Sequence, residues 1–220
     1  MKKFLKKGQT FLLNFLGKSE NPYEEELLSK DIDSTRFVVL DTETTGFDYV
    51  KDRILCIGAV VLQNNTIAIQ DSFEVYIQQE HYDKSTAKIH GILKEFALDK
   101  PNELEVLQQF LTFLGDSIII AHHTVFDVTM INKALERNGL PLLTNKSLDT
   151  AVLYKKTLIV SHLFEIKDTY TLDELADKFD ISIKDRHTAL GDAYISAIAF
   201  LKIRKKLEAK KITTLKQLFK

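Results

Sequence analysis

Apolar residues in the first half of the chain form short, partly β-branched runs between polar segments, a pattern typical of buried strands. The runs cover Phe37–Leu40 and Ile54–Leu62, and a third run, Thr66–Ile77, follows the polar triplet 63–65. So short a polar segment between two strands favours a turn. The pattern therefore predicts three consecutive strands that pair as an antiparallel meander.

The second half of the chain changes to a helical period. One predicted helix covers 103–114: Asn102 can cap it, and its apolar residues at spacings of three and four share one face. The same criteria predict a strand at 117–121 and helices at 85–90, 127–138, 150–157, 172–179 and 189–205. Three strands followed by alternating helices and a strand predict an α/β fold with a mixed sheet flanked by helices.

The ends of the chain differ from this region. Residues 3–17 mix Phe and Leu with Lys in a basic amphipathic pattern, and 214–219 form a second basic amphipathic segment. We therefore expect an extension over 1–34, a folded domain over 35–205 and a basic, helical tail over 206–220. The first segment can pack on its own domain, dock a partner or contact a membrane surface.

The composition limits the classes of protein to which this chain can belong. A chain of 220 residues, 45% of them apolar, can bury one sizeable α/β core. No apolar stretch approaches the ~20 residues that span a bilayer, and the basic N-terminus has no small-residue cleavage site. The single cysteine, Cys56, excludes an internal disulfide. We expect a protein of the reducing cytoplasm, without a transmembrane segment or signal peptide.

The net charge of −1 conceals an uneven distribution. Residues 1–18 carry +5 and residues 202–220 carry +7, so residues 19–201 carry −13. An acidic core binds a polyanion poorly by its own charge. Cations would have to supply much of the attraction, and the basic ends can add non-specific affinity for nucleic acid or an anionic surface.

Two acids, Asp41 and Glu43, stand at the end of the first predicted strand, before the turn residues Thr44–Gly46. Residues two apart on a strand point to the same face, so both carboxylates would project together. Inward carboxylates at a strand end are costly unless they are paired or bind a metal. The alternative is a solvated surface pair, which is common for acidic residues.

Three further candidates follow along the chain. Asp127 begins a predicted helix, where an acid either binds a metal or complements the helix dipole. His187 and Asp192 are five residues apart, about 140° around one continuous helix, and would not face one site. They converge if His187 lies in the loop before that helix, where Ala189, Gly191 and Ala193 permit close approach. The alternative is a surface histidine near a helix start.

A fold that gathers Asp41, Glu43, Asp127 and Asp192 would bring mutually repelling carboxylates together, which divalent cations relieve. A neighbouring histidine titrates near neutral pH and can accept a proton from water. These residues therefore predict metal-dependent hydrolysis of phosphodiester bonds.

The ordered motifs also resemble the DEDDh family of 3′–5′ exonucleases, which includes the proofreading subunits of bacterial DNA polymerase III and free-standing relatives. The resemblance covers about 36–201 and rests on Val39–Gly46, Ile57–Val60, Ile89–Ile92, Ala121–Asp127 and His187–Ala193. It implies an RNase H-like fold and two Mg²⁺ or Mn²⁺ ions. Asp41 would bridge both ions, Glu43 and Asp192 would hold one, Asp127 would support the other, and His187 would be the general base.

The resemblance further implies contacts to the terminal nucleotide by Thr44, Thr45, Gly46, Phe47, His90, Ile92 and Phe126. Two positions depart from the family pattern, His123 in place of Asn and Cys56 in place of Glu. Neither is one of the five catalytic positions, but both affect the expected details of substrate contact.

The expected activity is the removal of nucleotides from the 3′ end of single-stranded DNA, in proofreading or repair, with release of nucleoside 5′-monophosphates. The alternatives are an exoribonuclease with the same chemistry and a non-catalytic binding module of a polymerase complex. A polymerase subunit is an expected partner, and Gln217-Leu218-Phe219 faintly resembles peptides that dock sliding clamps.

Overall fold

The computed structural model of the chain describes residues 22–80, 84–93, 99–158 and 167–220. The amphipathic segment 3–17 lies outside the described residues. The strands are β1 (Phe37–Thr44), β2 (Ile54–Gln63), β3 (Thr66–Tyr76), β4 (Ile118–Ala121) and β5 (Ser147–Asp149). The helices are α1 (Pro22–Ser29), α2 (Lys84–His90), α3 (Glu103–Leu114), α4 (Val125–Arg137), α5 (Thr150–Thr157), α6 (Leu172–Phe179), α7 (Ala189–Ala209) and α8 (Leu215–Leu218).

The strands form one mixed sheet in the order β3-β2-β1-β4-β5. β1 pairs antiparallel with β2 and parallel with β4, while β2 pairs antiparallel with β3 and β4 pairs parallel with β5. The predicted meander and the mixed sheet are confirmed. The β2–β3 turn contains Asn64 and Asn65, both with φ above 50°, a backbone that asparagine tolerates and that suits tight hairpins.

The sheet is covered on both faces, which explains why β1 begins with four consecutive apolar residues. Phe37 and Val39 belong to a core cluster that includes Phe200 of α7. Val38 and Leu40 point the other way, into a cluster with residues of α3 and α4. The site described below therefore stands at the end of a strand that is anchored on both sides.

β5 was not expected from the sequence. It contains three residues, of which only Leu148 is buried, so it has neither the length nor the alternation that marks a strand. Its pairing with β4 depends on the tertiary structure. It matters for the site because Asp149, at its end, accepts a hydrogen bond from the Thr124 backbone N–H (2.9 Å) just before α4.

Both ends of the described chain pack onto the domain. Ile32 is buried in the same cluster as α7, and Arg204 pairs with Asp33. α7 continues to Ala209, beyond the predicted end at 205, and Leu215 and Leu218 of α8 are buried. Within the described residues, no helix combines the length and the apolar character that crossing a bilayer requires.

The start of α7 lies directly against β2. A Cβ atom on Gly58 would lie 2.2 Å from the Ala189 carbonyl carbon and the Leu190 nitrogen, both backbone atoms. Gly58 is also the residue that pairs with Asp41 across the β1–β2 ladder. The missing side chain at position 58 therefore allows the first turn of α7 to approach the end of β1.

We expect Gly58→Ala to lower the free energy of unfolding by about 1–3 kcal/mol, because the added methyl group overpacks a contact between two backbones. Urea unfolding followed by circular dichroism measures the change. Stability equal to that of the wild type would contradict the close contact between α7 and β2.

Candidate active site

Three carboxylates converge at the carboxyl end of β1. Asp41 and Glu43 lie two residues apart on this strand and are half-buried, and Asp192 enters from the first turn of α7. Each of the three offers a carboxylate oxygen, and these oxygens lie within 4.8 Å of one another. The structure thus brings together residues that are about 150 positions apart in the sequence.

Asp127 joins this group from the other side of β1. It is buried in the first turn of α4, and its Oδ1 accepts hydrogen bonds from the backbone N–H (3.0 Å) and the hydroxyl (2.7 Å) of Thr42. Asp127 is not one of the three residues whose oxygens lie within 4.8 Å of each other, but its charge raises the pKa of Asp41 after the larger effect of burial.

The position of Asp192 depends on the turn that precedes α7. Thr188 caps the helix by accepting a hydrogen bond from the Gly191 N–H (3.1 Å). A Cβ atom on Gly191 would lie 2.0 Å from the Asp185 carbonyl oxygen. Glycine is therefore required for the turn to fold back onto the helix, and this fold places Asp192 beside Asp41.

His187 lies in this turn, before α7 rather than within it. Its backbone is left-handed, with φ of 64°, and its side chain is exposed. Its backbone N–H favours the ionised form of Asp192 and so lowers the pKa of that group, an effect smaller than those of burial and of Arg186. The loop placement is the one that allows His187 and Asp192 to face a common site.

Folding raises the pKa of all four acids. Burial is the largest cause of the raised pKa values, which are about 7 for Glu43 and about 7 for Asp127. The pKa of Asp41 is also well above its usual range, through burial and then the charges of Asp127, Asp192 and Glu43. A cluster of hard oxygen donors that resist ionisation without a nearby cation fits a divalent metal such as Mg²⁺ or Mn²⁺.

Thr44, Thr45 and Gly46 form a compact turn around Asp52. The Asp52 carboxylate accepts hydrogen bonds from the Thr45 hydroxyl (2.7 Å) and the Asp48 N–H (2.8 Å). A Cβ atom on Gly46 would lie 2.4 Å from this carboxylate. Sequence reasoning missed Asp52; its sequence signal was an acid two residues before the predicted strand 54–62 and six residues after the Thr-Thr-Gly turn.

Aromatic side chains gather next to this turn. Phe47 is 77% exposed, and its ring centroid lies 5.7 Å from that of Phe126, which directly precedes Asp127. Tyr49 contacts the same Phe126 ring, with a centroid distance of 5.8 Å. We name Phe47, Tyr49 and Phe126 the aromatic platform. Phe47 and Phe126 were predicted as substrate contacts, whereas Tyr49 was missed because an isolated Tyr carries no motif.

His90 and Ile92, the remaining predicted contacts, flank Gly91 at the end of α2. The Nδ1 atom of His90 accepts a hydrogen bond from the Ile92 N–H (3.0 Å), and its buried Nε2 has no partner among the described residues. Ile92 is buried against Cys56 and Ala189. The segment is therefore packed against β2 and the first residue of α7.

The two departures from the family pattern have local explanations. His123 has a φ of 60°, a left-handed backbone for which Asn, Asp and His are the enriched non-glycine residues. Cys56 pairs with Glu43 across the β1–β2 ladder, and burial raises the pKa of its thiol. Cys56 is buried in an apolar cluster with Ile92 and Ala189 and is not one of the residues whose ligand atoms lie within 4.8 Å of one another, so it does not replace a carboxylate.

Comparison with known proteins shows the family to which this chain belongs. The Exonuclease family matches residues 38–200 of this chain. The chain is 32% identical to the DNA polymerase III subunit epsilon of Aquifex aeolicus, over 78% of this chain and 81% of that protein. It is 35% identical to the PolC-type DNA polymerase III of Caldanaerobacter subterraneus, over 78% of this chain but only 12% of that much longer protein.

Solved structures show the same fold. Exonuclease I of E. coli, in a complex with a dT13 oligonucleotide, superposes with a TM-score of 0.70 at 16% identity, over 81% of this chain and 43% of that chain. Exonuclease X, in a complex with 5′ overhanging duplex DNA, superposes with a TM-score of 0.62 at 21% identity, over 84% of this chain and 96% of that chain. These neighbours are RNase H-like exonucleases, so the expected fold class is confirmed.

The raised pKa values predict an unusual dependence of stability on pH in EDTA. Folding raises the pKa of Glu43 from 4.5 to about 7, so the folded protein holds a proton that the unfolded chain has already released. The contribution of Glu43 to stability is therefore lost as the pH rises from 4.5 to about 7. Urea unfolding of the wild type and of Glu43→Gln at several pH values measures this contribution.

We expect the wild type to lose stability relative to Glu43→Gln across this interval, and added Mg²⁺ to reduce the difference, because a cation favours the ionised carboxylate. A difference between the two proteins that does not change with pH would contradict the raised pKa of Glu43.

Proposed function

Because this chain belongs to the DEDDh family of 3′–5′ exonucleases, we propose that it removes nucleotides from the 3′ end of single-stranded DNA. The products are nucleoside 5′-monophosphates. The observation that carries the proposal is that carboxylate oxygens of Asp41, Glu43 and Asp192 lie within 4.8 Å of one another. Asp127 accepts a hydrogen bond from Thr42, the residue between Asp41 and Glu43 on β1.

The proposed cofactors are two divalent cations, Mg²⁺ or Mn²⁺. Asp41, Glu43 and Asp192 would hold one ion, and Asp127 would support the second together with Asp41. The buried Oδ1 of Asp192, which has no hydrogen-bond partner among the described residues, is a donor that suits such an ion. Two bound cations supply charge stabilisation to the attacking and the leaving oxygen of an in-line displacement.

His187 is the proposed general base. It accepts a proton from the attacking water as the oxygen of that water forms a bond to the terminal phosphorus. The bond between phosphorus and the 3′ oxygen of the preceding nucleotide breaks, and that oxygen then takes a proton from solvent. The exposed position of the imidazole, in a turn whose backbone contacts Asp192, allows this proton to pass to bulk water afterwards.

The aromatic platform supports a single-stranded substrate. Exposed rings such as Phe47 can stack on unpaired bases, at about 1–3 kcal/mol per base, whereas bases within a duplex present only their edges. Stacking also offsets the weak attraction that an acidic core has for a polyanion. In this proposal Thr44, Thr45 and Gly46 approach the terminal nucleotide from one side and His90 and Ile92 from the other.

DNA is favoured over RNA because the relatives named above are DNA polymerase subunits or polymerases. A polymerase subunit is the proposed partner for the same reason, in proofreading or repair.

A non-catalytic scaffold role is disfavoured by the complete set of acids. Docking of a sliding clamp by Gln217-Leu218-Phe219 is disfavoured because Leu218 is buried in the core of this domain. The buried thiol of Cys56 suits a cytoplasmic location.

The direct test is Mg²⁺-dependent degradation of a 5′-labelled, single-stranded oligonucleotide by the full chain. We expect a ladder that shortens from the 3′ end, and Asp41→Ala should lower the rate by about 10³-fold or more, since several kcal/mol of charge stabilisation are lost. Asp116→Asn, at an exposed acid on the opposite end of the sheet, is the matched control and should keep the wild-type rate.

Equal rates for Asp41→Ala and the wild type would exclude this site as the source of nuclease activity. An RNA oligonucleotide of the same sequence, run in parallel, distinguishes the exoribonuclease alternative.

The second test concerns His187. We expect His187→Ala to lower turnover by about 10²–10⁴-fold, the usual contribution of a general base, while Mn²⁺ binding remains close to that of the wild type. Steady-state turnover and a Mn²⁺ titration measure the two effects separately. Loss of Mn²⁺ binding in this variant would assign His187 to the metal instead.

A further inference from the structure

Arg186 lies between two carboxylates beside the site. Its Nε donates to Oδ1 of Asp173 (2.6 Å), and its NH1 donates to Oδ2 of Asp192 (2.5 Å). The guanidinium is largely enclosed, since the Arg186 side chain is only 17% exposed. Arg186 therefore joins the first turn of α6, which contains Asp173, to the first turn of α7, which contains Asp192.

The two oxygens of Asp192 have different surroundings. Oδ2 is bound by Arg186, whereas Oδ1 is buried and has no hydrogen-bond partner among the described residues. A buried carboxylate oxygen without a partner is costly. A planar guanidinium that is held at its other end restricts rotation of the carboxylate, so Oδ1 stays in one orientation and is left for a ligand.

We propose that Asp173 and Arg186 act together as positioning residues for Asp192, and that they hold its carboxylate in the orientation that binds a divalent cation through Oδ1. This inference rests on the proposed metal-dependent function. Asp173 fixes the guanidinium at Nε, and Arg186 transmits that constraint to Oδ2 of Asp192. Residues that bond to a metal ligand without contacting the metal commonly affect the affinity of the site for that metal.

Two effects of Arg186 oppose each other. Its positive charge repels a nearby cation, which would weaken metal binding. The fixed carboxylate acts in the opposite sense, because Oδ1 of Asp192 is already oriented and has no competing partner among the described residues, so little side-chain freedom is lost when a cation binds. Arg186 is itself held by Asp173, so we expect the positioning of Asp192 to outweigh the repulsion and removal of the guanidinium to weaken metal binding.

The experiment is a Mn²⁺ titration of the full chain, followed by electron paramagnetic resonance of the free ion. For Arg186→Gln we expect the Kd for Mn²⁺ to rise about 10–100-fold. Arg186→Lys should recover only part of the lost Mn²⁺ affinity. An ammonium group keeps the positive charge but lacks the planar guanidinium that binds both carboxylates in a fixed geometry. Turnover at saturating Mn²⁺ should return toward the wild-type value.

Asp173→Ala provides a second variant in case Arg186→Gln folds poorly. Asp173 is 58% exposed and does not touch Asp192, and its replacement should raise the Kd in the same direction by a smaller factor. The matched control is Arg137→Gln. Arg137 also makes two bonds to one carboxylate, that of Glu103 (2.8 and 2.6 Å), but it lies at the far end of α4 from Asp127.

The outcomes separate this inference from the proposed function. Wild-type protein that binds Mn²⁺, with folded Arg186→Gln or Asp173→Ala binding it equally well or more tightly, would overturn the positioning role and leave the proposed function standing. A lower thermal stability with an unchanged Kd would assign a purely structural role and overturn it as well. Wild-type protein that binds no Mn²⁺ would overturn both.

Discussion

The site depends on how closely the first turn of α7 approaches the sheet. This approach is possible because Gly58 presents no side chain where Ala189 and Leu190 cross β2. Asp41 pairs with Gly58 in the β1–β2 ladder, so the contact that brings the helix to the sheet also brings Asp192 to Asp41. Gly191 adds the second condition, since the preceding turn packs against its backbone. Two positions without side chains thus allow the acids to meet.

The same geometry has an electrostatic cost. Burial raises the pKa values of Asp41, Glu43 and Asp127, and the charges of neighbouring carboxylates raise them further. The fold therefore resists ionisation of the groups that would bind a cation in their ionised form. The protein offsets part of this cost with its own donors: Thr42 gives two hydrogen bonds to Asp127, and Arg186 pairs with Asp192. Divalent cations would offset the remainder, which links the stability of the site to its chemistry.

Several elements could be predicted with their boundaries because their signals are local. The helices at 103–114, 150–157 and 172–179 begin and end where the sequence indicated, and Asn102 and Thr171 make the hydrogen bonds expected of capping residues. β5 and the extra turn of α7 could not be predicted. The former is defined only by pairing with β4, and the latter continues a helix whose last residues pack on the core.

The sequence by itself determined the order and chemical type of the site residues, because an acid pair after a buried strand and a His–Asp pair around a helix start are patterns of neighbouring residues. It also determined that Phe37–Leu40 is a buried strand, because a short, β-branched apolar run is a local signal. The tertiary structure alone decided that Arg186 bonds Asp192, that Asp52 organises the turn at Gly46, and that Tyr49 joins Phe126. Each of these contacts joins separate segments or reverses a loop, and such packing is set by the whole fold rather than by local spacing.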